Sequence, residues 1–312
     1  DSLDGRTLDS PKPTIRATVT IAGDEAIVDL SASDDQVNWP VNNPVASTQS
    51  AVLTVFGQLA GAGVPTNDGT YRPIHIRTRK GSILEPERPA PVRGRMSASY
   101  KTASAVKHAL AKAAPERFTA SGADTTNTVT MSLRDDNGVS MFAEIVMGGN
   151  GAGPGCDGAD VVAQMLSNTG NTPVEAIEMD HTFVRIDEYS MIQDSGGAGQ
   201  FRGGLGARRV YEILQDNVLV STNGDRHETR PWALAGGHEG SLAKFAVTRD
   251  GVTEQIPAAS NIHLNKGDRF VLEISGGGGY GNPEDRDVDS IRKDIRTGHI
   301  SESSAQSVYG LV

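Results

Sequence analysis

Gln193-Asp194-Ser195-Gly196-Gly197-Ala198-Gly199-Gln200-Phe201-Arg202-Gly203-Gly204-Leu205-Gly206 places six glycines in fourteen residues, with one acid, one serine and one arginine among them. Glycine in a helix or strand gives up more backbone entropy than alanine, so a run this rich must serve the backbone itself. Three needs fit: positive φ angles, close approach of main chain to a ligand or another chain, or a row of N–H groups facing an anion. The demand recurs at Gly148-Gly149-Asn150-Gly151-Ala152-Gly153-Pro154-Gly155 and at Ser275-Gly276-Gly277-Gly278-Gly279-Tyr280-Gly281.

Around these stretches the chain reads as globular. Its 312 residues, 37% of them hydrophobic, are enough to bury a proper core. Lysine and arginine number 29 against 39 acids, a formal charge of −10 without a basic tract, which argues against nucleic acid or an anionic membrane as partner. The one cysteine, Cys156, excludes an intrachain disulfide and a multi-cysteine zinc site and fits a reducing compartment. No apolar run approaches the roughly 18–20 residues that span a bilayer. A cytoplasmic protein is expected.

Upstream, Thr14–Ile21 and Ala26–Leu30 are β-branched runs about a Gly23-Asp24 turn, a hairpin pattern. The prolines of Asn38–Pro44 set an extended loop whose amide side chains either bind substrate or cap turns. Ser47–Leu59 carries Ala51, Val52, Val55, Phe56 and Leu59 at helical spacing, and Ser97–Ala114 carries Val106, Ala109, Leu110 and Ala113 on one face. His108 lies beside that face as a structural or surface residue. Asp135-Asp136-Asn137-Gly138 joins two alternating runs as a hairpin turn. Asp157–Leu166 is expected to be helical, capped by Asp157 or Asp160. Beyond the organising stretch, Ala207–Leu214, Val218–Thr222, Ala243–Arg249, Val252–Ile256 and Arg269–Ile274 read as strands, and Asp287–Thr297 as a helix. The fold class is therefore α+β: a mixed α/β portion over residues 1–178, and a β-rich portion over 179–312 that ends in a short helix.

Several chemistries fail on their partners. Asp194-Ser195-Gly196-Gly197 matches the segment around the nucleophile of trypsin-like serine proteases, but no histidine base stands in that family's context and its disulfides are missing. Strand, glycine loop and helix is also a phosphate-binding order, yet no Gly-Lys-Ser/Thr follows Gly155 and a hairpin strand feeds the loop. His227 and His238 match no tight zinc spacing and read as solvated loop residues. Cys156 would be activated by a following helix N-terminus, but no base can be placed beside it.

Taken together, Asn168-Thr169-Gly170-Asn171-Thr172-Pro173-Val174-Glu175-Ala176-Ile177-Glu178, Asp194–Gly206, Gly276–Pro283 and the closing Tyr309-Gly310 resemble the hydantoinase B family. Asn67-Asp68-Gly69 with Arg72-Pro73-Ile74, and Pro86–Val92, extend the resemblance over essentially the whole chain. That family comprises B subunits of ATP-dependent N-methylhydantoinases and lactamases, the matching half of 5-oxoprolinases, and related subunits of acetone and acetophenone carboxylases. The resemblance implies hydrolysis of a small cyclic amide after phosphorylation by an A-type, ATP-binding partner, which carries ATP and magnesium. Family B subunits are longer, and a metal site of histidines and aspartates is implied for their N-terminal part, a separate or missing chain here. No metal is expected on this chain, and its catalytic residues stay unassigned. Asp194, Ser195, Gly196, Gly197, Arg202, Gly203, Gly204, Asn168 and Asn171 are candidates for binding substrate or intermediate, or for an interface. Glycine N–H rows with Arg202 would suit a phosphorylated intermediate. A ketone carboxylase subunit and a non-catalytic interface scaffold are the alternatives.

Overall fold

The computed structural model of the chain describes residues 1–6, 10–61, 63–135 and 138–311. The chain divides into two compact units, one holding most of the chain up to Phe118 and the other the chain from Thr119 onward.

In the first unit, strand β1 (Thr18–Ala22) pairs antiparallel with β2 (Glu25–Asp29), and Gly23 turns between them at φ +63°. Helix α1 (Val45–Ala60) and the short α2 (Asp68–Tyr71) lead to β3 (Ile74–Arg77), which adds to β2 in parallel. Helix α1 buries Thr48, Ala51, Val52 and Val55 on the face that the spacing indicates. Helix α3 (Arg95–Ala111) departs from the expected stripe. It is buried almost continuously from Ser97 to Lys107, while Ala113 lies beyond its end and is exposed. Two amides of the proline loop are spent on the fold: Asn42 accepts from Val37 N at 2.8 Å and donates to Pro91 O at 2.9 Å, and Asn43 joins Thr48 and Ser99.

The second unit is an antiparallel sandwich. Strands β4 (Asn127–Asp135) and β5 (Gly138–Val146) pair as the sequence suggests; turn residues Asp136 and Asn137 lie outside the described residues. After α4 (Val174–Asp180) come β6 (Val184–Met191), β7 (Ala207–Ile213), β8 (Val218–Asn223), β9 (Lys244–Arg249), β10 (Val252–Ile256), β11 (Ala259–Leu264) and β12 (Arg269–Glu273). One sheet runs β11-β8-β4-β5, the other β10-β9-β12-β7-β6. Val129, Met131, Phe142 and Val220 from the first share a core with Tyr211, Phe245, Phe270 and Leu272 from the second. Two helices close the chain. α5 (Val288–Arg296) is capped by Asp287, and α6 (Glu302–Ser307) by Ser301; Ile291, Ile300, Ala305 and Tyr309 form their own small core.

Candidate functional site

The three glycine-rich stretches meet inside the second unit, and their hydrogen bonds reveal the geometry. Gly276 N donates to Ser241 Oγ, Gly277 N to Gly204 O, Gly278 N to Ser121 O, Gly279 N to His238 O, Tyr280 N to Phe201 O and Gly281 N to Leu234 O, all between 2.8 and 3.1 Å. Residues 276 and 279 thus turn to one neighbouring segment, and 277 and 280 to another. A strand alternates between two sides, whereas a three-residue repeat without internal hydrogen bonds is polyproline II geometry. Segments near 119–123, 148–153, 195–206 and 231–241 surround the 275–281 segment and accept or donate along its length.

This arrangement selects one of the three backbone needs. Within the three stretches only Gly155 and Gly281 have positive φ among the glycines. All of the others but Gly153 sit where a side chain has no room: a Cβ on Gly277 would lie 2.0 Å from Asn150 O, on Gly203 2.0 Å from Gly277 O, and on Gly149 1.9 Å from Gly204 O. Main chain approaches main chain of the same polypeptide. Many amides that would face an anion are already donating, Gly197 N to Gly277 O, Gly203 N to Gly197 O and Gly204 N to Asn150 O among them.

The side chains singled out in the organising stretch are held in the same way. Asp194, at φ +61°, donates its N–H to His299 O and accepts from Ser301 N at 2.9 Å. Buried Ser195 donates its hydroxyl to Ile192 O and accepts from Gly206 N, a clasp at the start of the loop. Gly196 abuts Gly203 O, where a Cβ would lie at 2.1 Å. Arg202, also buried, binds Asp160 at 2.9 Å and lies 3.4 Å from Asp294. Arg286 grips both oxygens of Asp157, at 2.7 and 2.8 Å, and reaches Asp294 at 2.6 Å; His299 completes the lattice on Asp160 at 3.1 Å. Burial raises the Asp157 and Asp160 carboxyls, but hydrogen bonds and charge from Arg286 and Arg202 respectively outweigh it and hold both below the usual range. Residues 194–204 therefore come together. Asn168 and Asn171 stand apart: Asn168 is exposed, and Asn171 precedes Thr172, whose carbonyl accepts from Arg209 on β7.

The expected helix over 157–166 is not formed. Asp157 and Asp160 do not cap it but take arginines, and Gly158 N donates to Arg202 O, so the segment joins the glycine lattice as irregular backbone. Cys156 is exposed with no helix following it. His238 is not buried, but His227 is not a solvated loop residue. It packs edge-on against Phe245 at 4.5 Å, and burial lowers its pKa to about 4, leaving the ring neutral at neutral pH.

Two polar clusters carried no sequence motif. In the first, Asp124 and Arg226 adopt φ +45° and +70°, a strained state for residues this large. Ser121 Oγ donates to Asp124 at 2.6 Å and accepts from Arg226 Nη2 at 3.1 Å, while Arg226 Nε donates to Ala123 O. In the second, Glu144 on β5 accepts from the Tyr211 hydroxyl and lies 3.3 Å from Arg209 Nε, inside the sandwich. Burial raises the Glu144 carboxyl, against the opposing Tyr211 hydrogen bond and Arg209 charge. Only a polar residue at an inward strand position could have signalled this pair. Among the described residues no group of three or more His, Cys, Asp or Glu side chains is placed to hold a metal ion.

Known proteins share this glycine-threaded antiparallel sandwich preceded by a smaller mixed unit. The chain belongs to the hydantoinase B/oxoprolinase family, whose model matches residues 2–283. It is 30% identical over 99% of its length to the B component of a putative D-/L-hydantoinase from a Pseudomonas species, of which the match covers 54%. The crystal structure of the ATP-dependent caprolactamase from Pseudomonas jessenii superposes with a TM-score of 0.86 at 29% identity, over 96% of this chain and 54% of that one. Acetone carboxylase in its nucleotide-free state shares the fold, with a TM-score of 0.82 at 19% identity over 96% of this chain and 45% of that one. The chain spans about half the length of the curated relatives it matches. No described helix is long and apolar enough to cross a membrane.

Proposed function

We propose that this chain works as part of the B-type subunit of an ATP-dependent hydrolase that opens a small cyclic amide. The observation that carries this reading is the superposition on an ATP-dependent caprolactamase across 96% of the chain. In the reaction, the ring carbonyl oxygen attacks the γ-phosphorus of ATP on an A-type partner and ADP leaves. Water then adds to the activated carbon and the C–N bond opens, releasing the amine and leaving an acyl phosphate; a second water adds at the acyl carbon, and phosphate departs with the former carbonyl oxygen to leave a carboxylate. ATP and magnesium belong to that partner, and a metal to the N-terminal part of the B subunit. The described residues supply no ligand cluster for a metal, and no step is assigned to one.

Within this reading the glycine segments and Arg202 act as scaffold. Their amides and guanidinium are engaged inside the chain, which favours a rigid framework over a phosphate cradle. Reconstitution with an A-type ATPase and the remainder of the B subunit tests the function. ATP-dependent phosphate release with hydantoin, 5-oxoproline or a lactam, without bicarbonate, is expected. A strict requirement for bicarbonate with a ketone substrate would overturn it in favour of carboxylation.

A further inference from the structure

Glu144 and Arg209 are opposite charges inside the second unit's sandwich, their side chains 2% and 0% exposed, yet they do not meet as a two-bond pair. Glu144 Oε1 takes both the Tyr211 hydroxyl and the Arg209 Nε approach. Glu144 Oε2 and Arg209 Nη1 have no hydrogen-bond partner among the described residues, and neither has the buried Oδ1 of Asn171. Arg209 Nη2 donates to Thr172 O, which brings the loop carrying Asn171 onto the same pair. Buried charge is costly unless its remaining lone pairs and protons are satisfied, and buried polar atoms in proteins are overwhelmingly bonded. Unpartnered atoms on two such deeply buried groups therefore point to a ligand.

The atoms define its chemistry. Glu144 Oε2 and Asn171 Oδ1 accept, and Arg209 Nη1 donates. The Glu144–Arg209 pair is neutral in sum, and an anion would bring its charge against the carboxylate. A neutral molecule with N–H and C=O on one edge satisfies both sides of the pair at once, as the cis amide of a small ring does. A ring with a second N–H, such as a hydantoin, also reaches Asn171. The Tyr189 ring centroid lies 4.6 Å from the Arg209 guanidinium carbon, and the residue is itself 38% exposed.

We propose that Glu144, Arg209 and Asn171 recognise the amide edge of a neutral cyclic amide, with Tyr189 as the cover that moves to admit it. This rests on the reading of the chain as part of a cyclic-amide hydrolase and names residues that would hold the ring. Saturation-transfer NMR on the purified chain with hydantoin, ε-caprolactam and 5-oxoproline tests it. Hydantoin and caprolactam are expected to bind, and 5-oxoproline, with its carboxylate, to bind more weakly. Glu144→Gln and Asn171→Ala should each weaken hydantoin about tenfold, the worth of one hydrogen bond to a buried partner. Asn171 lies on a half-buried loop, so its variant keeps the test open if a change at Glu144 impairs folding. No saturation transfer from either neutral ring, which leaves ordered water as the occupant, or equal binding by wild type and Asn171→Ala, would overturn the proposal. A reconstituted complex that turns over its ring normally with Asn171→Ala sinks this site and leaves the proposed function standing. Ring binding without any ATP-dependent turnover does the reverse.

Discussion

Replacing Gly277 by alanine isolates the glycine lattice with one methyl group. The added Cβ would lie 2.0 Å from Asn150 O and 2.3 Å from Asn150 C, and both neighbours are backbone rather than flexible side chain. Restoring ordinary contact needs a shift of roughly 1 Å or more between segments. Such a shift strains the bonds of Gly277 N to Gly204 O and Gly197 N to Gly277 O, at 2.9 and 2.8 Å. Overpacking a filled interior costs about 1–3 kcal/mol, and each disturbed hydrogen bond adds about 1 kcal/mol. The sum, roughly 3–5 kcal/mol, lowers the melting temperature of a unit this size by about 6–20 °C. Gly170→Ala is the control, because Gly170 has no atom within 4 Å of a built Cβ and lacks positive φ. It should stay within about 0.5 kcal/mol of wild type. Thermal unfolding followed by circular dichroism and calorimetry reads both variants. If Gly277→Ala melts with Gly170→Ala, the segments are not in backbone contact and the account of the glycine runs is wrong.

Further outcomes follow from the buried charges. Arg286→Met leaves Asp157 and Asp294 facing each other's charge without their shared cation, and should cost about 3–5 kcal/mol in urea unfolding. In a double-mutant cycle, adding Asp157→Asn should recover part of that loss; strict additivity would deny the pairing. His227 has a folded-state pKa lowered to about 4, so the unfolded chain binds the proton first. Its contribution is complete above the unfolded value near 6.5 and is lost as pH falls toward 4, by about 3 kcal/mol, a slope that His227→Gln should remove. Asp157 and Asp160, lowered by their arginines, act further down: their stabilisation is complete above the unfolded carboxyl value near ~4 and fades as pH falls through their folded values. Asp160→Asn should flatten the acid limb of a plot of urea midpoint against pH.

Much of the fold is legible in the sequence because it rests on local pattern. The Gly23-Asp24 turn, the α1 stripe, the β4–β5 hairpin, the β9–β10 pair and the Asp287 cap of α5 follow from residues a few positions apart. The segment 157–166 does not, because Asp157 and Asp160 are cap residues by local rule, while Arg286 and Arg202, far along the chain, claim them. The same distance hides the use of the glycines. A run such as Gly276–Gly279 shows that the backbone is needed, but its partners at Ser121, Gly204 and His238 are known only once the chain is folded. Strand β11 escapes the pattern because only Ile262 and Leu264 mark its inward face, the third inward position being Ser260. Arg202 stands out by its place among glycines, yet its partners Asp160 and Asp294 make it part of a buried lattice. Glu144 and Arg209 sit in strands that read as ordinary, and only the facing sheets bring them together.

The most direct test of the central claim is the fate of oxygen. The reconstituted complex should be supplied with ATP and a cyclic amide labelled with oxygen-18 at the ring carbonyl, and the released phosphate analysed by mass spectrometry. Phosphorylation of the ring oxygen predicts one labelled oxygen in phosphate for each ring opened. Label retained wholly in the product carboxylate, with phosphate unlabelled, would contradict the account.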